Sequence, residues 1–79
     1  MNPYFLGQII IVPYNFAPKD FAFCQGQLLH INQYPALFSL IGTTFGGNGT
    51  TNFALPNYQG KAPEGSNYAI CIQAQMPQA

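Results

Sequence analysis

Charge is almost absent from this sequence. Two Lys/Arg and two Asp/Glu make up 5% of its 79 residues, where soluble domains carry about 25%. That scarcity excludes a nucleic-acid binder, because Lys19 and Lys61 cannot neutralise a run of phosphates. The formal net charge is zero, a balance that favours association. Cysteine is limited to Cys24 and Cys71, so one bridge is the most the chain can form, worth roughly 4 kcal/mol for so long a loop. No apolar run approaches the roughly 18 residues of a membrane span, so no membrane insertion is expected. The start, Met1-Asn2-Pro3-Tyr4-Phe5-Leu6, has no basic stretch, and the run Ile9 to Val12 is too short for the apolar part of a classical signal peptide. What is present is apolar: 48% hydrophobic residues with seven Phe and five Tyr, which excludes disorder. A domain of this size buries only about 60% of its unfolded surface. Together these features point to a domain whose surface is largely covered by protein.

Gly7-Gln8-Ile9-Ile10-Ile11-Val12, between Pro3 and Pro13, reads as a strand. Four successive aliphatics leave it no polar face, so both sides should be covered, one of them by a second subunit. Phe21-Ala22-Phe23-Cys24 alternates large and small as a second strand, and Gln25-Gly26-Gln27 turns the chain. A helix is predicted from Asn32 to Gly42, with Asn32 as N-cap, Pro35 in the first turn and Gly42 just past the end. Tyr34, Leu37, Phe38 and Ile41 form its apolar stripe. The small-residue loop Thr43 to Thr51 contains the turn signal Asn48-Gly49. Phe53 and Leu55 read as anchors, and Pro56, Gly60, Pro63 and Gly65 forbid regular structure until Asn67. Tyr68, Ile70 and Ile72 then share one face of a third strand, with Ala69 and Cys71 on the other. The sum is a single α+β domain over residues 1–79: a small three-stranded sheet, one short helix and a long glycine-rich loop. No edge position carries the Lys or inward charge that blocks strand addition.

Chemistry is sparse. His30 is the sole histidine, and with Asp20 and Cys24 or Ser39 it lacks the nucleophile elbow and spaced base of a hydrolytic triad. No catalytic residue is expected. Cys24, Cys71 and His30 lack CxxC spacing and fall short of the four ligands of a structural zinc site, so neither metal nor cofactor is expected. Buried packing, or a Cys24–Cys71 disulfide in an oxidising location, fits the two cysteines better. Gly46-Gly47-Asn48-Gly49 offers a backbone nest for an anion or a sugar, but without the Gly-Lys-Ser/Thr ending of a phosphate loop a plain turn is the simpler reading. The aromatics Tyr4, Phe5, Tyr14, Phe16, Phe21 and Phe23 bracket the first two strands and read as core or subunit-interface residues.

Four stretches carry a resemblance: Phe16-Ala17-Pro18-Lys19; Ala22-Phe23-Cys24-Gln25-Gly26-Gln27-Leu28-Leu29; Ala36 to Gly49; and Phe53-Ala54-Leu55-Pro56-Asn57. They resemble the phage tail collar domain, the family of phage short tail fibre collars and of bacterial microcystin-dependent proteins. The resemblance covers residues 7–63, with 67–75 similar to the family's final strand and tail. Relatives carry a long variable insert, associated with recognition, where only Glu64-Gly65-Ser66 stand between Pro63 and Asn67. They usually have Gly-Trp where this chain has Asp20-Phe21, and commonly a charge at the positions of Asn48, Asn57 and Gln59.

The resemblance implies a structural protein trimeric about a three-fold axis, in a virion tail or an extracellular appendage. The charge-poor surface also permits an open filament. Expected partners are copies of the chain itself and other tail or appendage proteins. The expected assembly residues are Ile9, Ile10, Ile11 and Val12 with Tyr68, Ile70 and Ile72, pairing by strand addition. The second reading is a small adhesion module that binds an anion or glycan at Gly46, Gly47, Asn48 and Gly49.

Overall fold

A computed structural model describes residues 4–73. Its elements in chain order are β1 (Ile9–Val12), β2 (Phe21–Phe23), β3 (Leu28–His30), α1 (Pro35–Ile41), β4 (Asn52–Ala54) and β5 (Asn67–Cys71). They build two antiparallel sheets, β1-β5-β2 and β3-β4. The α+β class therefore holds, with a second, two-stranded sheet beside the expected three-stranded one. Of the final stretch 67–75, the strand ends at Cys71, and residues 74–75 lie outside the described residues.

Strand alternation divides the core between the two faces of the larger sheet. One face buries Ile70 and Cys24 against Leu37 of α1 and against Phe53 and Leu55, with Ala22 and Tyr68 packed alongside. The other buries Phe21, Ala69 and Cys71, with Ile10, Ala17 and Phe23 around them. Leu37, Phe53 and Leu55 have no solvent exposure at all, as the anchor reading of Phe53 and Leu55 requires.

The single chain leaves one side of β1 partly open, the side for which the sequence calls on a second subunit. Val12 is buried, but Ile9 and Ile11 remain 37% and 49% exposed. The physical reason is position: β1 is an edge strand, and the cluster that covers Ile70 does not extend over Ile9 and Ile11.

The helix begins later than its apolar pattern suggests. Tyr34, not Asn32, occupies the N-cap, with φ −135° and no side-chain cap. A residue preceding proline is pushed out of the helical region, so Pro35 sets the first helical position. At the far end the Gly42 N–H donates to the Phe38 carbonyl at 2.8 Å. Leu37 is buried, and Tyr34, Phe38 and Ile41 pack against the same cluster. Such a short helix is unstable alone and owes its existence to that docking.

Candidate functional site

The backbone bonding of each strand edge decides which surfaces can extend a sheet. At the start of β1 the Gly7 N–H donates to the Cys71 carbonyl at 2.8 Å, and the Cys71 N–H donates to the Gln8 carbonyl at 2.9 Å. Two residues thus oppose one, a β-bulge whose first residue must take positive φ. Gly7 does so at +84°. The bulge fixes the phase: the Gln8 carbonyl and the backbone groups of Ile10 and Val12 turn toward β5, and Ile9 and Ile11 turn theirs outward. Among the described residues nothing bonds those outward N–H and C=O groups.

The opposite edge of the sheet is partly closed. Cys24 N–H donates to the Tyr68 carbonyl and Ile72 N–H to the Asp20 carbonyl, so Phe21 and Phe23 turn their backbone groups to the outer edge of β2. Phe21 N–H donates to the Pro18 carbonyl at 3.0 Å. The Phe23 carbonyl accepts from the Gln25 N–H at 3.0 Å and from Gln27 Nε2 at 2.8 Å. A returning turn and one side-chain amide therefore occupy two of the four outward backbone groups that an added strand would need, the Phe21 N–H and the Phe23 carbonyl.

The glycine loop does the same for β4. Ala54 N–H donates to the Gly46 carbonyl, and Gly49 N–H to the Asn52 carbonyl, both at 3.0 Å. Asn48 Oδ1 accepts from the Thr50, Thr51 and Asn52 amides at 2.8, 2.9 and 3.2 Å. Asn48 N–H in turn donates to Asn52 Oδ1 at 2.9 Å, and Gly46 N–H to the Thr43 carbonyl at 3.0 Å. Of Gly46, Gly47, Asn48 and Gly49, only Gly47 keeps an amide without a bond among the described residues. The run that reads as an anion or sugar cradle is built here as cover for a strand edge. On β3, the His30 carbonyl accepts from Gln33 and Tyr34 N–H groups, which leaves the His30 N–H and Leu28, 58% exposed, open among the described residues.

These edges sort the expected assembly residues. Ile9 and Ile11 are exposed on the open edge, Ile10 is half-buried and Val12 buried. Tyr68, Ile70 and Ile72 do not share that surface. β5 lies between β1 and β2 and is bonded on both sides, and these three side chains belong to the core cluster. A central strand has no edge to offer, which corrects their assignment to strand pairing. Gln27, which helps close β2, carries no signal in the sequence, because its role depends on the turn that swings it back onto Phe23.

The remaining candidates are structural in placement. Cys24 and Cys71 are buried thiols in clusters on opposite faces of the sheet. No disulfide joins them, and of the two readings buried packing is the one observed. Burial pushes the Cys24 thiol up to about 11, which makes it a poor nucleophile. His30 is exposed at the end of β3, and Ser39 Oγ donates to the Pro35 carbonyl of its own helix. Of the aromatics, Tyr4 meets Phe21 edge-on at 5.1 Å and Tyr14 stacks on Phe16 at 4.5 Å. Phe21 and Phe23 enter the core, whereas Phe5, Tyr14 and Phe16 are exposed.

No curated protein matches the chain. Residues 7–63 match the family model of the phage tail collar domain, a stretch that runs from the Gly7 bulge through α1 and the glycine loop to Pro63. With well over half of its length inside that match, the chain belongs to the phage tail collar domain family, whose members are structural modules of phage tail fibres.

Proposed function

We propose that this chain is a non-enzymatic structural subunit that assembles with copies of itself through its free sheet edge, within a phage tail or a related extracellular appendage. The observation that carries this reading is the inequality of the edges. β1 alone presents two residues, Ile9 and Ile11, that combine unbonded backbone groups with exposed apolar side chains. An edge of that kind is a template for another strand, and natural monomers usually block it with charge. None of Lys19, Asp20, Lys61 and Glu64 lies on β1. A collar-type trimer or a filament requires a further contact besides, and the exposed side chains of Leu28, Leu40 and Phe45 offer apolar surface for it.

Light scattering over a concentration series tests the reading. The purified protein is expected to show masses that rise above the 8.6 kDa of one chain. A single-chain mass at every concentration overturns self-association.

A further inference from the structure

The β1 edge specifies more than a generic sticky strand. We infer, resting on the self-assembly reading, that two copies pair β1 against β1 antiparallel about a two-fold axis through Ile10, in one register. Each strand offers two outward residues, Ile9 and Ile11, hence two N–H donors and two C=O acceptors. With the axis at Ile10, Ile9 faces the partner's Ile11 and Ile11 faces the partner's Ile9. Every outward donor then meets an acceptor.

The neighbouring registers fail for reasons that lie in the chain. Moving the axis to Ile11 sets Ile9 opposite the partner's Pro13, which has no N–H to give. Moving it to Ile9 sets Ile11 opposite the partner's Gly7, whose N–H is already bonded to Cys71. The bulge and the proline therefore bracket a stretch that a second copy of itself bonds fully with the axis at Ile10 and not in either neighbouring register.

Side chains agree with the backbone. Ile9 and Ile11 point to the same face as the partner's Ile9 and Ile11, and each is more than a third exposed in the single chain. The pair would merge four half-covered isoleucines into one apolar patch. The occupant must be apolar and extended, and with no charged side chain on β1 the second copy meets no like-charge penalty. The contact is isologous, so it closes at two chains. The far edge of that sheet, β2, has its Phe21 N–H and Phe23 carbonyl already bonded and so offers no second fully free edge for the sheet to continue into a fibre.

Symmetry makes the register readable by disulfide formation. The two Ile10 residues form a non-hydrogen-bonded pair with Cα atoms about 4.5 Å apart, within the range that a disulfide spans. Two copies of Ile9, or two of Ile11, are offset by two residues and lie roughly 8 Å apart, out of range. Single Ile9→Cys, Ile10→Cys and Ile11→Cys proteins are oxidised mildly and run on non-reducing gels. Because Ile10 packs against the cluster that holds Cys71, all three are made in a Cys24→Ala, Cys71→Ala background so that only the introduced thiols can link.

The expected result is about tenfold more covalent dimer from Ile10→Cys than from Ile9→Cys or Ile11→Cys alone, following the disulfide distance limit. Should Ile10→Cys lose its fold by circular dichroism, an equimolar mixture of Ile9→Cys and Ile11→Cys replaces it. That mixture is expected to link more than either alone, because these two residues face each other across the axis. Linking of Ile9→Cys or Ile11→Cys alone in preference, or no linking while the wild type still exceeds one chain in mass, overturns the register and leaves self-assembly standing. A wild type of single-chain mass at all concentrations overturns both.

Discussion

Asp20 holds φ at +70°, the one described residue other than glycine with a positive value. It is the third residue of the turn Pro18–Phe21, closed by the Phe21 N–H on the Pro18 carbonyl, a place where a type II turn wants glycine. Its carbonyl also accepts from the Ile72 and Gln73 N–H groups at 2.8 and 3.4 Å, so the peptide cannot swing away to relieve the strain. The relatives that this chain resembles usually carry glycine here, and the observed φ supplies the reason. Left-handed backbone costs a non-glycine residue roughly 1 kcal/mol, and part of that is offset by the unfolded-state freedom that glycine adds. Asp20→Gly is expected to raise stability by about 0.5 kcal/mol, read as a higher urea midpoint. A lower midpoint would mean that the aspartate side chain stabilises the turn. The strain itself was not legible, because Asp20 reads in sequence as an ordinary loop residue until its turn is seen.

At the scale of elements, the glycine loop and β4 act as one unit. A Cβ placed on Gly47 would stand 2.4 Å from the Phe53 Cα and 2.9 Å from the Asn52 carbonyl oxygen, both backbone atoms that cannot yield. Gly47→Ala must therefore lift the loop and break the Ala54–Gly46 and Gly49–Asn52 bonds, at an expected cost of about 2–4 kcal/mol in chemical denaturation. Gly65→Ala, where a Cβ meets nothing within 4 Å, should cost only about 1 kcal/mol for its positive φ. Equal losses in the two variants would show that backbone conformation, not the close approach, governs the loop. Local chemistry made several elements readable: the β1 aliphatics between prolines, the alternation of Phe21-Ala22-Phe23, the stop at Gly42, and the Asn48-Gly49 turn. It missed β3, because Leu28-Leu29-His30 is too short and too mixed to show a period. It also misplaced the helix start, because capping preference favoured Asn32 while the restriction imposed by Pro35 decided the matter.

At the scale of the molecule, the scarcity of charge and the free β1 edge lead to the same expectation. An association made of backbone hydrogen bonds and isoleucine contacts has little for salt to screen. Its dissociation constant is expected to change less than about threefold between low and moderate salt, since screening acts on exposed charges. A tenfold weakening measured by light scattering would assign the contact to Lys19, Lys61 or Glu64 instead. Strand order was the part of the fold that the sequence could not show. Tyr68, Ile70 and Ile72 look the same in a central strand as in an edge strand, and only the pairing of distant segments distinguishes them. That pairing also governs how the molecule comes into being. β1 and β2 each pair with β5 and not with each other, and Ile9 pairs with Ile70, 61 positions later (70 − 9). During synthesis from the N-terminus the larger sheet has nothing to close on until the last strand has been made. So non-local a closure is slow among small domains, and throughout that interval the isoleucines of β1 are unpaired along both sides. Neighbouring nascent chains can meet at β1 before either has folded, and the speed with which β5 arrives then sets how much protein reaches its own sheet.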